Sequence, residues 1–248
     1  MIYTSQHNTL NPVLNSSNYA YGSIDLYIED TQEYNLSRIG LTLVISLLLG
    51  SIFWRIGQLR KNSADLHSVI GAMHLAVLYV CFCNHTTVQP VIASERTVFY
   101  RENSAGMYTV LPHALSQVMV EMPYVLFQAT YFSLIIYSMM SFQWTAMKFL
   151  FFFIISFLSF LYFTYFGMLA MALSPNMQAA AILSSSFFIL FTLLSGFIIP
   201  KPIRDYVLKH FGYKEDFNGI MIAVLLGFVI LFALSYAYCV RSLNFQKR

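Results

Sequence analysis

The sequence predicts an all-α polytopic membrane protein with six transmembrane helices. Hydrophobic residues make up 58% of the 248 residues, whereas Asp, Glu, Lys and Arg together make up 10%. Soluble domains carry roughly 25% charged residues, so a soluble fold of this size could not cover its surface with so few charges. Aromatic residues, at 17%, suit lipid-facing surfaces and interfacial belts. Apolar runs of the length that crosses a bilayer recur along the chain, which makes the predicted fold polytopic.

Six apolar runs follow a polar N-terminal segment. Residues 1–32 are rich in Asn, Ser and Tyr and lack a basic stretch followed by an apolar run, so we expect no cleavable signal peptide. The transmembrane domain is predicted over residues 33–248. Its spans are predicted at residues 39–54, 67–93, 110–142, 148–173, 179–199 and 217–240.

The first span is short. At 1.5 Å per residue it reaches roughly 24 Å, against ~30 Å for the hydrocarbon core of a bilayer. We therefore expect the flanking side chains of Arg38 and Arg55 to reach out to the membrane boundaries, with Trp54 at the interface.

The second and third spans contain polar residues that cannot face lipid. In the second, His74 and Asn84 require a helix face that is turned to a partner helix or to an aqueous cavity. In the third, Glu121 is the intramembrane acid, and a costly buried carboxylate is a candidate for function. The alternative is a structural role, in which Glu121 lies near one end of the span and pairs with Arg96 or Arg101, or caps the backbone.

The remaining features concern helix breaks and packing. Pro123 can kink or break the third span. The fourth span is the most lipid-like, with many Phe residues between Phe149 and Phe163, and Ser174–Gln178 forms a tight break after it. The fifth span is rich in small residues such as Ser184–Ser186, which let helix backbones approach closely.

An amphipathic block, residues 95–106, lies between the second and third spans. Its first part, Glu95–Glu102, alternates charged and apolar residues, and Asn103–Gly106 follows. The block is too polar to span and too apolar for a free loop. It is therefore predicted to form a surface helix and turn at the membrane boundary.

Motifs for chemistry are absent from the sequence. It contains no Gly-x-x-x-x-Gly-Lys-Ser/Thr, so these residues cannot hydrolyse ATP unaided, and it contains no His-Glu-x-x-His or Gly-x-Ser-x-Gly. We predict no enzyme, no catalytic residues and no metal site, and the three cysteines are expected to be buried apolar residues. The alternative hypothesis of an intramembrane enzyme is supported only by isolated histidines and by Glu121. Basic residues do not cluster with exposed aromatics, so nucleic-acid binding is not expected.

Loop charges do not fix the orientation. If both ends of the chain were cytoplasmic, six Lys and Arg residues would lie inside and eight outside. The positive-inside rule mildly opposes that arrangement.

Several motifs, in order, resemble those of a known family. The block reads Glu-Arg-Thr-Val-Phe-Tyr-Arg-Glu-Asn-Ser-Ala-Gly-Met-Tyr over Glu95–Tyr108, and Val-Glu-Met-Pro-Tyr follows over Val120–Tyr124. Further matching stretches are Tyr34–Arg38, Leu49–Trp54, Val88–Pro90, Tyr162–Met168, Leu194–Pro200, Phe211–Phe217 and Leu243–Gln246. Together they resemble the second transmembrane domain of G-subfamily ABC transporters of the pleiotropic drug resistance type, an ABC-2 type transporter domain.

The resemblance implies six helices with both ends in the cytoplasm, and it assigns roles to residues. Coupling to the ATPase domain falls to Glu95, Arg96, Phe99, Tyr100, Arg101 and Glu102. The substrate cavity is implied to involve Val80, Cys83, Asn84 and Thr87 of the second span and Phe188, Ile189 and Thr192 of the fifth. An apolar plug is implied at Phe197 and Ile198. Ordinary helix packing is the alternative reading of each cavity and plug residue.

The same resemblance implies partners. ATP and Mg²⁺ are expected on a nucleotide-binding domain that is missing from this sequence, beside a second six-helix domain. A hydrophobic small molecule is the expected substrate. The protein is expected to be an integral protein of the plasma membrane.

Three departures from the family pattern are visible. The family's nucleotide-binding domain does not precede the spans, Ser23–Glu33 lacks the family's basic and Trp residues, and the long external loop expected between Pro202 and Arg204 is missing. The leading hypothesis is the transmembrane half of an ATP-driven exporter of hydrophobic or amphipathic compounds. The alternative is a truncated, non-transporting membrane fragment that at most associates with a full transporter.

Overall fold

The computed structural model describes residues 32–55, 63–104, 110–142, 145–194 and 218–243, and the regular structure within these ranges is helical throughout. The helices are α1 (Gln32–Ile52), α2 (Ser63–Ser104), α3 (Val110–Met139), α4 (Ala146–Leu173), α5 (Met177–Leu194) and α6 (Asn218–Ser242). Stretches of α2, α3, α4 and α6 are long and apolar enough to cross a membrane, and α1 and α5 contain shorter apolar stretches. The predicted all-α fold class is confirmed.

Helix α4 lies at the centre of the bundle. It packs against α2, α3, α5 and α6. From Phe160 to Ala172 every residue is buried except the half-buried Tyr162. The prediction that this span is the most lipid-like is therefore wrong for its second half. Hydropathy cannot separate the two cases, because lipid chains and neighbouring apolar helices are chemically alike.

Helix α2 is a single helix of 42 residues that continues through Pro90. At 1.5 Å per residue it is roughly 63 Å long, about twice the hydrocarbon core, so it must extend beyond the membrane. The sequence separates a span at 67–93 from a surface helix that starts at Glu95. The structure instead joins them without a break as far as Ser104, because packing on both sides of Pro90 outweighs the loss of one backbone hydrogen bond. Helix α3 likewise continues through Pro123.

The helix termini meet at two ends of the bundle. At one end the backbone N–H of Arg55, after α1, donates to the carbonyl of Met139, the last residue of α3, at 3.1 Å. We call this the distal end. At the other end Arg96 of α2 donates to the carbonyls of Met171 and Ser174, where α4 finishes. We call this the coupling end.

Helices α2 and α4 approach each other closely at Gly167. A Cβ atom at this position would lie 2.6 Å from the carbonyl oxygen of His85 and 2.7 Å from Cγ1 of Val88. These distances are far shorter than van der Waals contact, so a side chain here would force the helices apart. Glycine therefore fixes the spacing of α2 and α4 at the middle of the bundle.

Candidate functional site

A buried polar cluster joins the first four helices. Its centre is Arg38 of α1, which is 4% exposed. One terminal nitrogen of the guanidinium donates to the carboxylate of Glu121 on α3 at 2.7 Å, and the other donates to the hydroxyl of Thr164 on α4 at 3.1 Å. An arginine has five N–H donors in a fixed plane, so one side chain can bind several helices at once.

Two amides complete this cluster. The Nε of Arg38 donates to Oε1 of Gln128 at 3.1 Å and to Oδ1 of Asn84 at 3.3 Å. The amide nitrogen of Gln128 donates in turn to Oδ1 of Asn84 at 2.8 Å and to the hydroxyl of Thr42 at 2.7 Å. The Nδ2 atom of Asn84 has no hydrogen-bond partner within the described ranges. Charged and polar groups from α1, α2, α3 and α4 thus balance one another away from lipid.

This cluster corrects two sequence-based expectations. Arg38 was expected to reach the membrane boundary, but its side chain is turned into the bundle, because the carboxylate of Glu121 and three polar side chains stabilise its charge there. Glu121 forms its ion pair with Arg38 and not with the expected Arg96, whose guanidinium is bound to carbonyls at the end of α4.

Sequence reasoning missed most of the cluster, although one signal was present. Gln117, Glu121 and Gln128 are spaced by four and seven residues, which places all three on one face of α3. A polar stripe of this kind within an apolar helix indicates a buried polar contact. The partners on α1 and α4 could not be read, since Thr42 and Thr164 are ordinary in membrane helices.

At the coupling end, Arg96 holds the C-terminus of α4. Its guanidinium donates to the carbonyl oxygens of Met171 at 3.3 Å, Ser174 at 2.7 Å and Pro175 at 2.7 Å. The last carbonyls of a helix lack partners within the helix, and a cation there also interacts favourably with the helix dipole. Arg96 therefore links the block on α2 directly to the central helix.

A second set of contacts links the block to α3 and α6. The amide of Gln117 donates to the carboxylate of Glu95, and the hydroxyl of Tyr236 on α6 donates to the amide oxygen of Gln117. Phe99 is buried and stacks on His113 of α3, with ring centroids 4.5 Å apart and planes at 12°. Helices α3, α4 and α6 are thus connected to one short stretch of α2.

The predicted coupling residues therefore do not share one environment. Glu95, Arg96 and Phe99 face the bundle, and Tyr100 is half-buried beside them. Arg101 is exposed, and the side chain of Glu102 lies outside the described part. The exposed residues of this stretch recur at Ser94, Thr97, Val98 and Arg101, a spacing that places them on one helix face.

The predicted cavity residues on α2 lie in different surroundings. Val80 is fully buried in the core, and Asn84 belongs to the polar cluster. Cys83 and Thr87 are half-buried, and the Thr87 hydroxyl donates to the carbonyl of Cys83 at 2.8 Å.

The predicted cavity residues on α5 are also spread. Phe188 is half-buried and stacks on His85, Ile189 is 59% exposed, and Thr192 is half-buried. Contacts between α2 and α5 run instead through Phe82, His85 and Gln89. Phe188 lies 5.3 Å from both rings, measured between centroids, and Gln89 donates to the hydroxyl of Ser184 at 2.7 Å.

His85 is a polar residue at the contact between α2 and α5, and no motif in the sequence assigns it a role. Its Nδ1 lies 3.2 Å from the carbonyl of Cys81, so Nδ1 carries the proton and donates it. Its Nε2 is buried and has no hydrogen-bond partner among the residues that the structure describes. The predicted plug residues Phe197 and Ile198 lie outside the described residues.

Comparison with known proteins identifies the family. The sequence model described as ABC-2 type transporter matches residues 22–213. The chain belongs to the ABC-2 type transporter family. Among its relatives, ABC transporter G family member 38 of Oryza sativa subsp. japonica is 46% identical and ABC transporter G family member 36 of Arabidopsis thaliana is 42% identical. Pleiotropic drug resistance protein TUR2 of Spirodela polyrhiza is 37% identical. The predicted resemblance to this family is confirmed.

The similarity covers most of this ABC-2 chain but a small part of the relatives. Each of these alignments includes 87% of the chain, and 17% or 18% of the relative. The chain therefore spans less than a fifth of the length of these relatives. The alignments extend over 255 to 260 residues, more than the 248 of the chain, so the relatives contain residues with no counterpart here. Family membership and the apolar helices make this ABC-2 domain an integral membrane protein.

Proposed function

We propose that this chain is the transmembrane half of an ATP-driven exporter that moves hydrophobic or amphipathic compounds out across the plasma membrane. ATP would be hydrolysed with Mg²⁺ on a nucleotide-binding domain outside these 248 residues, and a second six-helix domain would complete the path. The observation that carries the proposal is the continuity of α2. One helix contains Glu95–Ser104 of the coupling block, Asn84 of the polar cluster and the side chains that contact α5.

The contacts of α2 determine how movement would spread from the block. Arg96 and the close approach at Gly167 fix α2 to α4, and Gln117 fixes it to α3. A displacement of the block would therefore move α2, α3 and α4 as one unit. The contact of α2 with α5 is smaller than its contact with α4, and Gln89 donates a hydrogen bond to Ser184 across it. Alternating access would arise as α5 shifts against this unit, which is a two-state change of packed helices.

The exposed face of the block is the proposed contact with the ATPase domain. It comprises Thr97, Val98 and Arg101, and Val98 is 43% exposed although it is apolar. An apolar residue beside a cation is typical of a mixed protein–protein contact. In this arrangement the inward residues Arg96 and Phe99 transmit the movement, and the outward residues receive it.

An experiment that separates binding from transmission tests the proposal. The chain is expressed with the ATPase domain and the other six-helix half of a G-subfamily transporter, and co-purification and ATP-dependent efflux of a fluorescent hydrophobic dye are measured. We expect Arg101→Glu to abolish co-purification. Arg96→Gln is expected to retain co-purification and to lose most of the efflux.

The matched control is Arg55→Glu, a charge reversal of an exposed residue at the distal end, which should leave co-purification unchanged. Co-purification that is insensitive to Arg101→Glu would contradict the proposed contact face. Efflux unaffected by Arg96→Gln would contradict the transmission route.

A second candidate is a fragment that associates with a full transporter without transporting. The observation that favours it is that the relatives are longer and contain residues with no counterpart in this chain. In the same assay this candidate gives co-purification with an intact transporter, but no efflux when the chain is combined with the ATPase domain and the other six-helix half. Dye efflux that depends on Arg96 rules it out.

A further inference from the structure

A cavity in the described part of the chain differs from the one that the family resemblance implies. It has a volume of about 590 Å³ and lies between the first half of α2, the end of α3, the first half of α4 and α5. Of the predicted cavity residues, Thr192 alone is among its described lining. Its volume falls within the ~300–1,000 Å³ range of small-molecule sites.

The cavity is elongated along the helices. Its lining on α2 extends from Ile70 to Cys81, roughly 16 Å along the helix axis, and on α4 from Lys148 to Phe163, roughly 22 Å. Half of a ~30 Å hydrocarbon core, the depth of one lipid leaflet, is about 15 Å. The cavity therefore has the length of one acyl chain that lies parallel to the helices.

The lining is mostly apolar, with polar atoms from His74, Ser159 and Thr192, and it is charged at one end. Aromatic rings, among them Phe151, Phe152 and Phe163, alternate with aliphatic side chains. Lys148 stands in the first turn of α4 at the distal end, is exposed, and contributes to the lining. The lining residues that the structure describes include no Asp or Glu. A cation at the membrane boundary above an apolar channel matches an anionic head group above an acyl chain.

We propose that this cavity binds a single-chain anionic amphiphile, with its acyl chain between α2 and α4 and its carboxylate or phosphate at the ammonium of Lys148. Among its described lining residues, the site shares only Thr192 with the cavity that the family resemblance implies, so the proposal does not depend on the exporter function. A fatty acid and a lysophospholipid with a phosphate head group share the required chemistry.

Photolabelling of the purified 248-residue chain in phosphatidylcholine nanodiscs tests the site. A palmitate analogue with a diazirine on its chain is irradiated, and the labelled peptides are mapped by mass spectrometry. We expect labels in residues 69–81 and 146–163. Palmitate should compete with the photolabel, and hexadecanol, which lacks the charge, should compete at least about tenfold more weakly. Competition by lysophosphatidic acid would show that a phosphate head group is also accepted.

Two variants separate the head group from the chain. Lys148→Gln should weaken competition by palmitate about fivefold and leave that by hexadecanol unchanged, as for loss of a partly exposed ion pair. Because Lys148 is exposed, this variant does not threaten the fold. Ser159→Phe, which fills the cavity, should remove most labelling, whereas Ile154→Phe on the same helix but outside the lining should not.

Equal competition by hexadecanol and palmitate would overturn the proposal, because it would indicate a neutral apolar ligand. Labels confined to α6, or labelling that neither Lys148→Gln nor Ser159→Phe reduces, would overturn it as well. The assay contains no ATPase domain, so a failure here leaves the exporter proposal unaffected.

Discussion

The guanidinium of Arg38 lies 2.7 Å from the carboxylate of Glu121, and the two side chains are 3% and 2% exposed. Each charge alone would be costly within a membrane, since polar groups there must find their partners inside the protein. The pair joins α1 to α3, and the remaining donors of Arg38 reach α2 through Asn84 and α4 through Thr164. One side chain of the first helix thus contacts three other helices.

Removing one partner of this pair should destabilise the protein strongly. For Glu121→Gln and for Arg38→Met we expect a loss of about 3–5 kcal/mol each, because each leaves an uncompensated buried charge or donor set. The double variant Arg38→Met with Glu121→Leu should lose clearly less than the sum. Reversible unfolding in mixed detergent micelles, followed by circular dichroism, measures these values. Arg241→Met, at an exposed arginine of α6, is the control, and strict additivity of the pair would contradict the coupling.

The contact at Gly167 predicts an unusual cost for a single methyl group. A Cβ would lie 2.6 Å from the carbonyl oxygen of His85, which is backbone and cannot swing away. We expect Gly167→Ala to lower the free energy of unfolding by about 1–3 kcal/mol. Gly227→Ala in α6 meets no atom within 4 Å and should be neutral or stabilising, since Ala favours a helix over Gly by about 1 kcal/mol. Equal effects of the two changes, measured by the same unfolding assay, would exclude a tight contact.

Arg96 should act as a cap of α4 in addition to its proposed role in transmission. Arg96→Met keeps the aliphatic stem and loses three hydrogen bonds to the carbonyls of Met171, Ser174 and Pro175, for which we expect a loss of about 1–3 kcal/mol. The stability of Arg96→Lys should lie between that of the wild type and that of Arg96→Met, because an ammonium keeps the charge but cannot reproduce the planar arrangement of the guanidinium donors. Thermal unfolding measures these effects. The control is Arg101→Met, at an exposed arginine of the same helix, whose unfolding temperature should equal that of the wild type.

His85 offers a test of an unsatisfied polar atom. His85→Phe retains a ring that can stack on Phe188 and removes the buried Nε2 that has no partner in the described ranges. The variant should be as stable as the wild type or more so, because burying an unpaired polar group costs about 1–3 kcal/mol. His85→Ala loses the stack and should be less stable. A His85→Phe variant that unfolds as readily as His85→Ala would indicate a partner for Nε2.

The sequence predicted the class of fold and the existence of the helices because long apolar runs allow few alternatives in a membrane. It did not predict which side of each helix is buried. The Phe-rich α4 lies at the centre and the similarly apolar α6 at the periphery, so hydropathy does not distinguish a buried helix from a lipid-facing one. Arg38 was predicted to lie at the membrane boundary because it precedes an apolar run in the sequence. Its side chain is instead buried, because it pairs with the carboxylate of Glu121, 83 residues away in the sequence.

The candidate site shows the same division. The residues of the block were predicted from a continuous motif, but their separation into inward and outward faces required the packing of α3 and α4. The α2 residues that contact α5 within this chain are Phe82, His85 and Gln89, and none of them belongs to the set that the resemblance implies for the cavity. Helix rotation is set by tertiary contacts and leaves little trace in a single apolar sequence.

The contact from Tyr236 through Gln117 to Glu95 leads to the last prediction. The Gln117 side chain accepts from α6 with its oxygen and donates to α2 with its nitrogen, so it occupies the junction of three helices at the coupling end. Gln117→Leu leaves a buried hydroxyl and a carboxylate oxygen without this partner, and we expect a loss of about 1–3 kcal/mol in unfolding free energy. Tyr236→Phe removes one donor and should cost about 0.5–1.5 kcal/mol. Adding Tyr236→Phe to Gln117→Leu should therefore cost little more than Gln117→Leu alone. If the two changes instead sum in full, the hydroxyl of Tyr236 is held by another group and the junction does not act as a unit.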